Sequence, residues 1–144
     1  LTGHTVINAG SPGEVSASGR ERLPALLERH RPGLLILCHG GNDLLRKFEA
    51  AVTHANLDAM INMAHAQDIP VMLIGVPRPG LFMLESADLY DEIATRHRLL
   101  FDGDILPTVY SDNAFKADHI HPNAAGYRRI AEAIFQRLRE SGAL

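Results

Sequence analysis

Hydrophobic positions along the 144-residue chain follow two alternating patterns. Short apolar runs at Thr5 to Ala9, Leu34 to Cys38, Val71 to Val76 and Leu99 to Phe101 predict strands. Between them apolar residues recur at helical spacing. Ser18 and Glu21 make a capping-box pattern that predicts a helix to about His30, with a break or kink near Arg22 because Pro24 lacks the N–H a helix interior uses. From about Ala50 to Gln67, the residues Val52, Asn56, Ala59, Met60, Met63 and Ala64 share a face that only Asn56 interrupts, and the methionines there read as core filling. A further helix is expected from Leu84 to about Leu99 through Leu89, Ile93 and His97. Asp102 to Pro122 reads as loop, and Asn123 as the cap of a last helix with Tyr127, Ile130, Ile134 and Leu138 on one face. Strands alternating with helices are the mark of βα units on a parallel sheet. Without repeat or linker, residues 1–144 read as a single α/β domain.

Composition narrows the function classes. With 46% apolar and 22% charged residues the chain can bury a core, and a net charge of −3 leaves no electrostatic footprint for nucleic acid. The apolar runs are too short to predict a transmembrane segment. A lone cysteine, Cys38, excludes an internal disulfide; it reads as a small hydrophobe packed at a strand end, since no adjacent base pattern marks it as a catalytic thiol. The compartment stays open between cytoplasmic and periplasmic or secreted.

Two short motifs carry the chemistry: Gly40-Gly41-Asn42-Asp43 and Asp118-His119-Ile120-His121-Pro122-Asn123. Hydrolysis by a serine needs a hydroxyl, an imidazole to take its proton, a carboxylate to orient the imidazole, and donors for the oxyanion. The motifs offer candidates for all but the hydroxyl. Asn42 follows an apolar run and two glycines, which puts its amide at the carboxyl end of a strand, where open α/β sheets keep their ligands. The spacing of Asp118 and His121 lets both side chains face one crevice.

The chain resembles the GDSL, or SGNH, hydrolase superfamily, in particular its bacterial arylesterase, acyl-CoA thioesterase and lysophospholipase branch. Val6 to Glu14, with Gly10-Ser11-Pro12-Gly13, is similar to that family's second block, the Gly-Gly-Asn-Asp run to its third, and Asp118-x-x-His121-Pro122 to its last. The resemblance covers the whole chain in the right order. It implies a three-layer α/β/α flavodoxin-like fold with a parallel sheet, and cleavage of carboxylic esters or thioesters through an acyl-enzyme. It further implies that His121 is the base, Asp118 its orienter, and Gly13 N–H and the Asn42 amide the oxyanion donors, with no metal or organic cofactor. The chain departs from the family in lacking a Gly-Asp-Ser block. The expectation is that the first, central strand and the nucleophile serine lie in a segment upstream of residue 1, and that residues 1–144 alone are inactive.

Other readings stand beside these. Ser11 lies in a tight turn, but Pro12 removes the N–H that a nucleophile elbow uses, so it reads as a turn serine. His119 and His121 form a His-x-His pair, yet with one carboxylate they fall short of a zinc ligand set. Asp43 is expected to cap or brace the following turn rather than react. Leu44, Leu45 and Phe48, with Leu81, Phe82 and Met83, fall in two loops at the expected catalytic edge and would shape an apolar pocket for an acyl or aryl group, the small-molecule partner. The alternatives are a carbohydrate or phospholipid deacylase on the same scaffold, and a non-catalytic binding domain that has lost its nucleophile.

Overall fold

The computed structural model describes residues 2–78, 86–118 and 121–143. Three strands, β1 Leu35–Leu37, β2 Val71–Ile74 and β3 Leu100–Asp102, form a parallel sheet in the order β1-β2-β3. Leu35 pairs with Val71, and Met72 with Leu100. Helices cover both faces. On one side lie α1 Ser16–His30, α3 Ala50–His65 and α4 Asp88–His97, packed on Leu35, Leu37, Val71, Leu73 and Phe101. On the other, α5 Ile105–Ser111 and α6 Ala124–Glu140 pack on Met72, Ile74 and Leu100. The residues of β2 divide alternately between the two cores, as the period of two requires, and all four are buried. No helix among the described residues is long and apolar enough to cross a membrane.

Several sequence expectations are corrected. Thr5 to Ala9 is not a strand: Val6 and Ile7 stand 82% and 47% exposed, with no neighbouring strand to take up their backbone groups. Among the described residues β1 pairs only with β2, and Ile36 on this strand is 40% exposed. Cys38, just past β1, is likewise solvent-exposed rather than packed. The helix α1 begins at Ser16 without a side-chain cap of its own, so the Ser18 and Glu21 box is not used. It also runs uninterrupted past Pro24, because Pro24 and Arg20 both lie on the exposed side, where water can satisfy the carbonyl that loses its partner.

The buried face of α3 is rotated from the expected one. Thr53, Asn56, Leu57, Met60, Ile61 and Ala64 are inside, whereas Val52 is half exposed. Similarly, Tyr127 on α6 is 60% exposed. The stretch after Asp102 is not all loop. Asp102 Oδ1 accepts the N–H groups of Asp104 and Ile105 at 3.0 and 2.9 Å and so starts α5, which a 3₁₀ turn at Asn113–Phe115 follows. The cap of α6 is Asn123, whose Oδ1 accepts Gly126 N–H at 3.0 Å.

Candidate active site

The Gly-Gly-Asn-Asp run leaves the carboxyl end of β1 and winds into a short helix, α2 Gly41–Leu45. Asp43 points back into the protein and is 1% exposed. Its side chain neither caps nor braces the following turn but reaches the start of α1. Its carboxylate accepts Ser16 N–H at 2.8 Å and the Ser16 hydroxyl, and lies 3.4 Å from Thr53 Oγ1. The chain is thereby extended: Asn56 Nδ2 donates to Ser16 Oγ at 3.0 Å, and Arg20 donates to Asn56 Oδ1 at 3.3 Å. One buried carboxylate therefore caps α1 and ties it to α2 and α3, supplying the negative charge that a helix N-terminus attracts. This also accounts for Asn56, the polar residue that interrupts the expected apolar face.

With Asp43 turned inward, Asn42 faces the turn between Ala9 and α1. Its Nδ2 donates to Glu14 O at 3.0 Å, which uses one of the two amide hydrogens and leaves the other available. Beside it Gly13 has φ 73°, a backbone setting that favours glycine, and its N–H donates to no described group. Arg46, at the end of α2, holds Gly13 O at 3.1 Å. Ser11 is exposed in the same turn, its carbonyl accepting Glu14 N–H at 3.3 Å.

The second motif precedes α6. Asp118 Oδ2 lies 2.8 Å from His121 Nδ1, and Asp118 Oδ1 accepts the His121 backbone N–H at 2.9 Å. Holding both ring and backbone on one carboxylate fixes the imidazole's orientation. If Nδ1 carries the hydrogen donated to Asp118, Nε2 is left as the acceptor. Both side chains are more than half exposed. The loop is closed by a backbone bond from Ala117 N to His121 O and by Asn123 Nδ2 donating to Ala114 O at 2.8 Å.

The structure thus joins Asn42 to Gly13–Glu14 and Asp118 to His121. No described hydrogen bond links Asn42 to His121. Of the apolar candidates, Leu44 packs against the core, while Leu45 and Phe48 are 48% and 44% exposed. Leu81, Phe82, Met83 and His119 lie outside the described residues. A second His–carboxylate pair, which the sequence reading did not single out, joins α4 to α3: His97 Nε2 lies 2.7 Å from Asp58 Oδ1. That hydrogen bond holds the Asp58 carboxyl below its ordinary value. Among the described residues no cluster of His, Cys, Asp or Glu has the makings of a metal site.

The parallel α/β sheet, with Gly-Gly-Asn-Asp beyond one strand and an Asp-x-x-His pair before the last helix, goes with a family match that makes the protein an ester hydrolase of the GDSL type. The chain belongs to the GDSL-like lipase/acylhydrolase family, whose model matches residues 1–129. Esterase TesA of Pseudomonas aeruginosa is 33% identical over 141 residues, covering 94% of this chain and 70% of that protein. Thioesterase 1/protease 1/lysophospholipase L1 of Escherichia coli is 29% identical over 93% of this chain and 67% of its own. Among solved structures, a crystal structure of TesA superposes with a TM-score of 0.82 at 30% identity, over 94% of this chain and 78% of that one. The esterase EstA from Pseudoalteromonas reaches 0.84 at 22% identity, a likeness of fold.

Proposed function

We propose that this chain supplies all but the nucleophile of a serine esterase that cleaves carboxylic esters or thioesters through an acyl-enzyme. The observation that carries the reading is the Asp118–His121 pair at 2.8 Å in a member of an ester-hydrolase family. His121 Nε2 takes the proton of the attacking serine and returns it to the leaving group, while Asp118 holds the ring and offsets its charge once protonated. Gly13 N–H and the second hydrogen of the Asn42 amide stabilise the tetrahedral oxyanion. The relatives' printed names, esterase, thioesterase and arylesterase, support acyl and aryl esters or thioesters as the substrate class. The exposed Leu45 and Phe48, three and six residues beyond Asn42, would line the acyl side.

The serine, in this reading, comes from a segment upstream of residue 1, whose strand lies between Thr5–Ala9 and β1. The exposure of Val6, Ile7 and Ile36, together with an edge of β1 that meets no described strand, supports it. The test uses the protein at the length its gene encodes. An alkylphosphonate ester should inactivate it, and peptide mass spectrometry should locate the adduct on a serine preceding Leu1. An adduct on Ser11, or hydrolysis that His121→Ala leaves intact, would overturn the assignment.

A further inference from the structure

Behind the turn that carries Gly13 lies a cluster of polar side chains that the mechanism above leaves without a role. Arg22, on α1, donates from Nε to Glu14 Oε1 at 2.9 Å and from Nη2 to Glu14 Oε2 at 2.8 Å. The same Nη2 reaches the carbonyl of Ala9 at 2.9 Å. One guanidinium thus holds both ends of the Ala9–Glu14 turn. From the other side, His39 Nε2 approaches Glu14 Oε2 at 3.2 Å. His39 Nδ1 accepts Gly40 N–H at 2.9 Å, so the hydrogen belongs on Nε2, facing the carboxylate. The carbonyl of His39 is itself held by Tyr90 Oη at 2.7 Å. Space for the imidazole comes from Gly19, where a Cβ would collide with His39 Nε2. The Arg22 guanidinium holds the Glu14 carboxyl below its ordinary value, with burial opposing it and His39 adding to the lowering.

Geometry shows what such a cluster controls. The turn from Ala9 to Gly13 is largely exposed, glycine-rich and paired to no described strand; within it one long backbone bond, Ser11 O accepting Glu14 N–H at 3.3 Å, and Arg46 on Gly13 O leave the aim of Gly13 N–H to depend on how the ends of the turn are anchored. Glu14 is where three constraints meet: Arg22 and His39 on its carboxylate, and Asn42 on its carbonyl. We propose that Arg22, Glu14 and His39 are positioning residues that lock the Ala9–Glu14 turn to the Gly40–Asn42 segment, so that Gly13 N–H and the Asn42 amide are aimed together. None of the three touches the reacting atoms in this arrangement; they act through Gly13 and Asn42. The inference rests on the oxyanion role given to those two groups under the proposed function.

The test is kinetic, on the protein at its encoded length, with a p-nitrophenyl ester as substrate and a phosphonate titrant to count working sites. Arg22→Gln should lower kcat per titrated site by roughly 10- to 100-fold, the scale of a small misplacement of catalytic groups, with KM changed less than about threefold. Arg22→Lys should recover only part of the loss, since an ammonium cannot reproduce the fork. Arg29→Gln, an exposed arginine on the same helix, should match the wild type. If Arg22→Gln folds poorly, Glu14→Gln keeps the side-chain size and should show the same loss per site. Wild-type kcat per titrated site in Arg22→Gln or Glu14→Gln, with activity lost only in step with the folded fraction, would overturn the positioning role. His121→Ala, measured alongside, separates the two ideas. Full activity there would refute the esterase site itself, whereas its loss together with wild-type kcat in Arg22→Gln would refute the clamp alone.

Discussion

Replacing Asp43 by alanine removes the acceptor of two hydrogen bonds at the buried start of α1, the N–H and hydroxyl of Ser16, in a residue with no solvent exposure. An orphaned buried donor costs about 1–3 kcal/mol, and loss of a carboxylate from a helix N-terminus adds ~0.3–2 kcal/mol. Part of this returns because the carboxylate's own desolvation penalty also disappears. The expected loss is therefore about 3–5 kcal/mol, a large fraction of the ~5–15 kcal/mol that holds a domain together. Urea unfolding followed by circular dichroism checks it: with a slope near ~2 kcal/mol/M, the midpoint should fall by roughly 1.5–2.5 M. Ser16→Ala keeps the backbone N–H bond and should lose about 1–2 kcal/mol, so it remains measurable if the Asp43 variant does not fold. A double-mutant cycle between the two should show coupling of about 1 kcal/mol or more. An Asp43→Ala midpoint within ~0.3 M of wild type would mean that the carboxylate does not hold the three helices together.

Four other outcomes follow from the same geometry. Both hydrogen-bonded carboxyls titrate lower in the folded state than in the unfolded chain, where glutamate and aspartate sit near ~4.3 and ~3.9. Their stabilisation is present above those values and fades as pH falls through the lower folded ones, so Glu14→Gln and Asp58→Asn should each flatten the acid limb of a stability-versus-pH curve; unchanged limbs would discount both pairs. His97→Ala should cost stability yet leave hydrolysis intact, whereas His121→Ala should reduce turnover by about 10³-fold or more with little change in unfolding midpoint. The reverse pattern would place the chemistry at the wrong dyad. Gly19→Ala, by pushing His39 away, should cost about 1–3 kcal/mol in a thermal melt. Asp102→Ala should cost about 1–2 kcal/mol through the lost start of α5, and a neutral result there would leave α5 to its packing alone.

Some features were legible because they are local. Asn123 before a periodic apolar stretch signals a cap, and its side chain does accept Gly126 N–H. The apolar runs that became β1, β2 and β3 differ from the expected spans by only one or two residues at either end. What the sequence hid is set by partners distant along the chain. Ser16 starts α1 because Asp43, 27 positions away, accepts its N–H, so a capping signal two residues later has no effect. Asn56 looked like a flaw in an apolar face, because its partners Ser16 and Arg20 lie on another helix. Thr5 to Ala9 has strand composition, but a strand needs a neighbour, and the described sheet offers none beside it. Within the site, the Asp118–His121 pair could be anticipated because its spacing is short. The Arg22–Glu14–His39 cluster could not, since three polar residues at irregular spacing carry no periodic signal.

The adjacency of Asn42 and Asp43 on one short helix has a consequence for how this protein can change. Neighbouring residues face opposite tasks, one turned toward the Gly13 turn and one into the carboxylate network that secures α1 and α3. A substitution that tilts α2 to accommodate a new substrate moves both, so gains in substrate scope there are bound to losses in foldedness. Variation that escapes this linkage lies at the far end of the same segment, at Leu45 and Phe48, whose side chains are half in solvent and engage in no described hydrogen bond. Libraries randomised at those two positions should retain a high proportion of folded members, while libraries at Gly41 to Asp43 should be dominated by unfolded ones. The segment from Gly41 to Phe48 thus divides into a constrained half and an evolvable half.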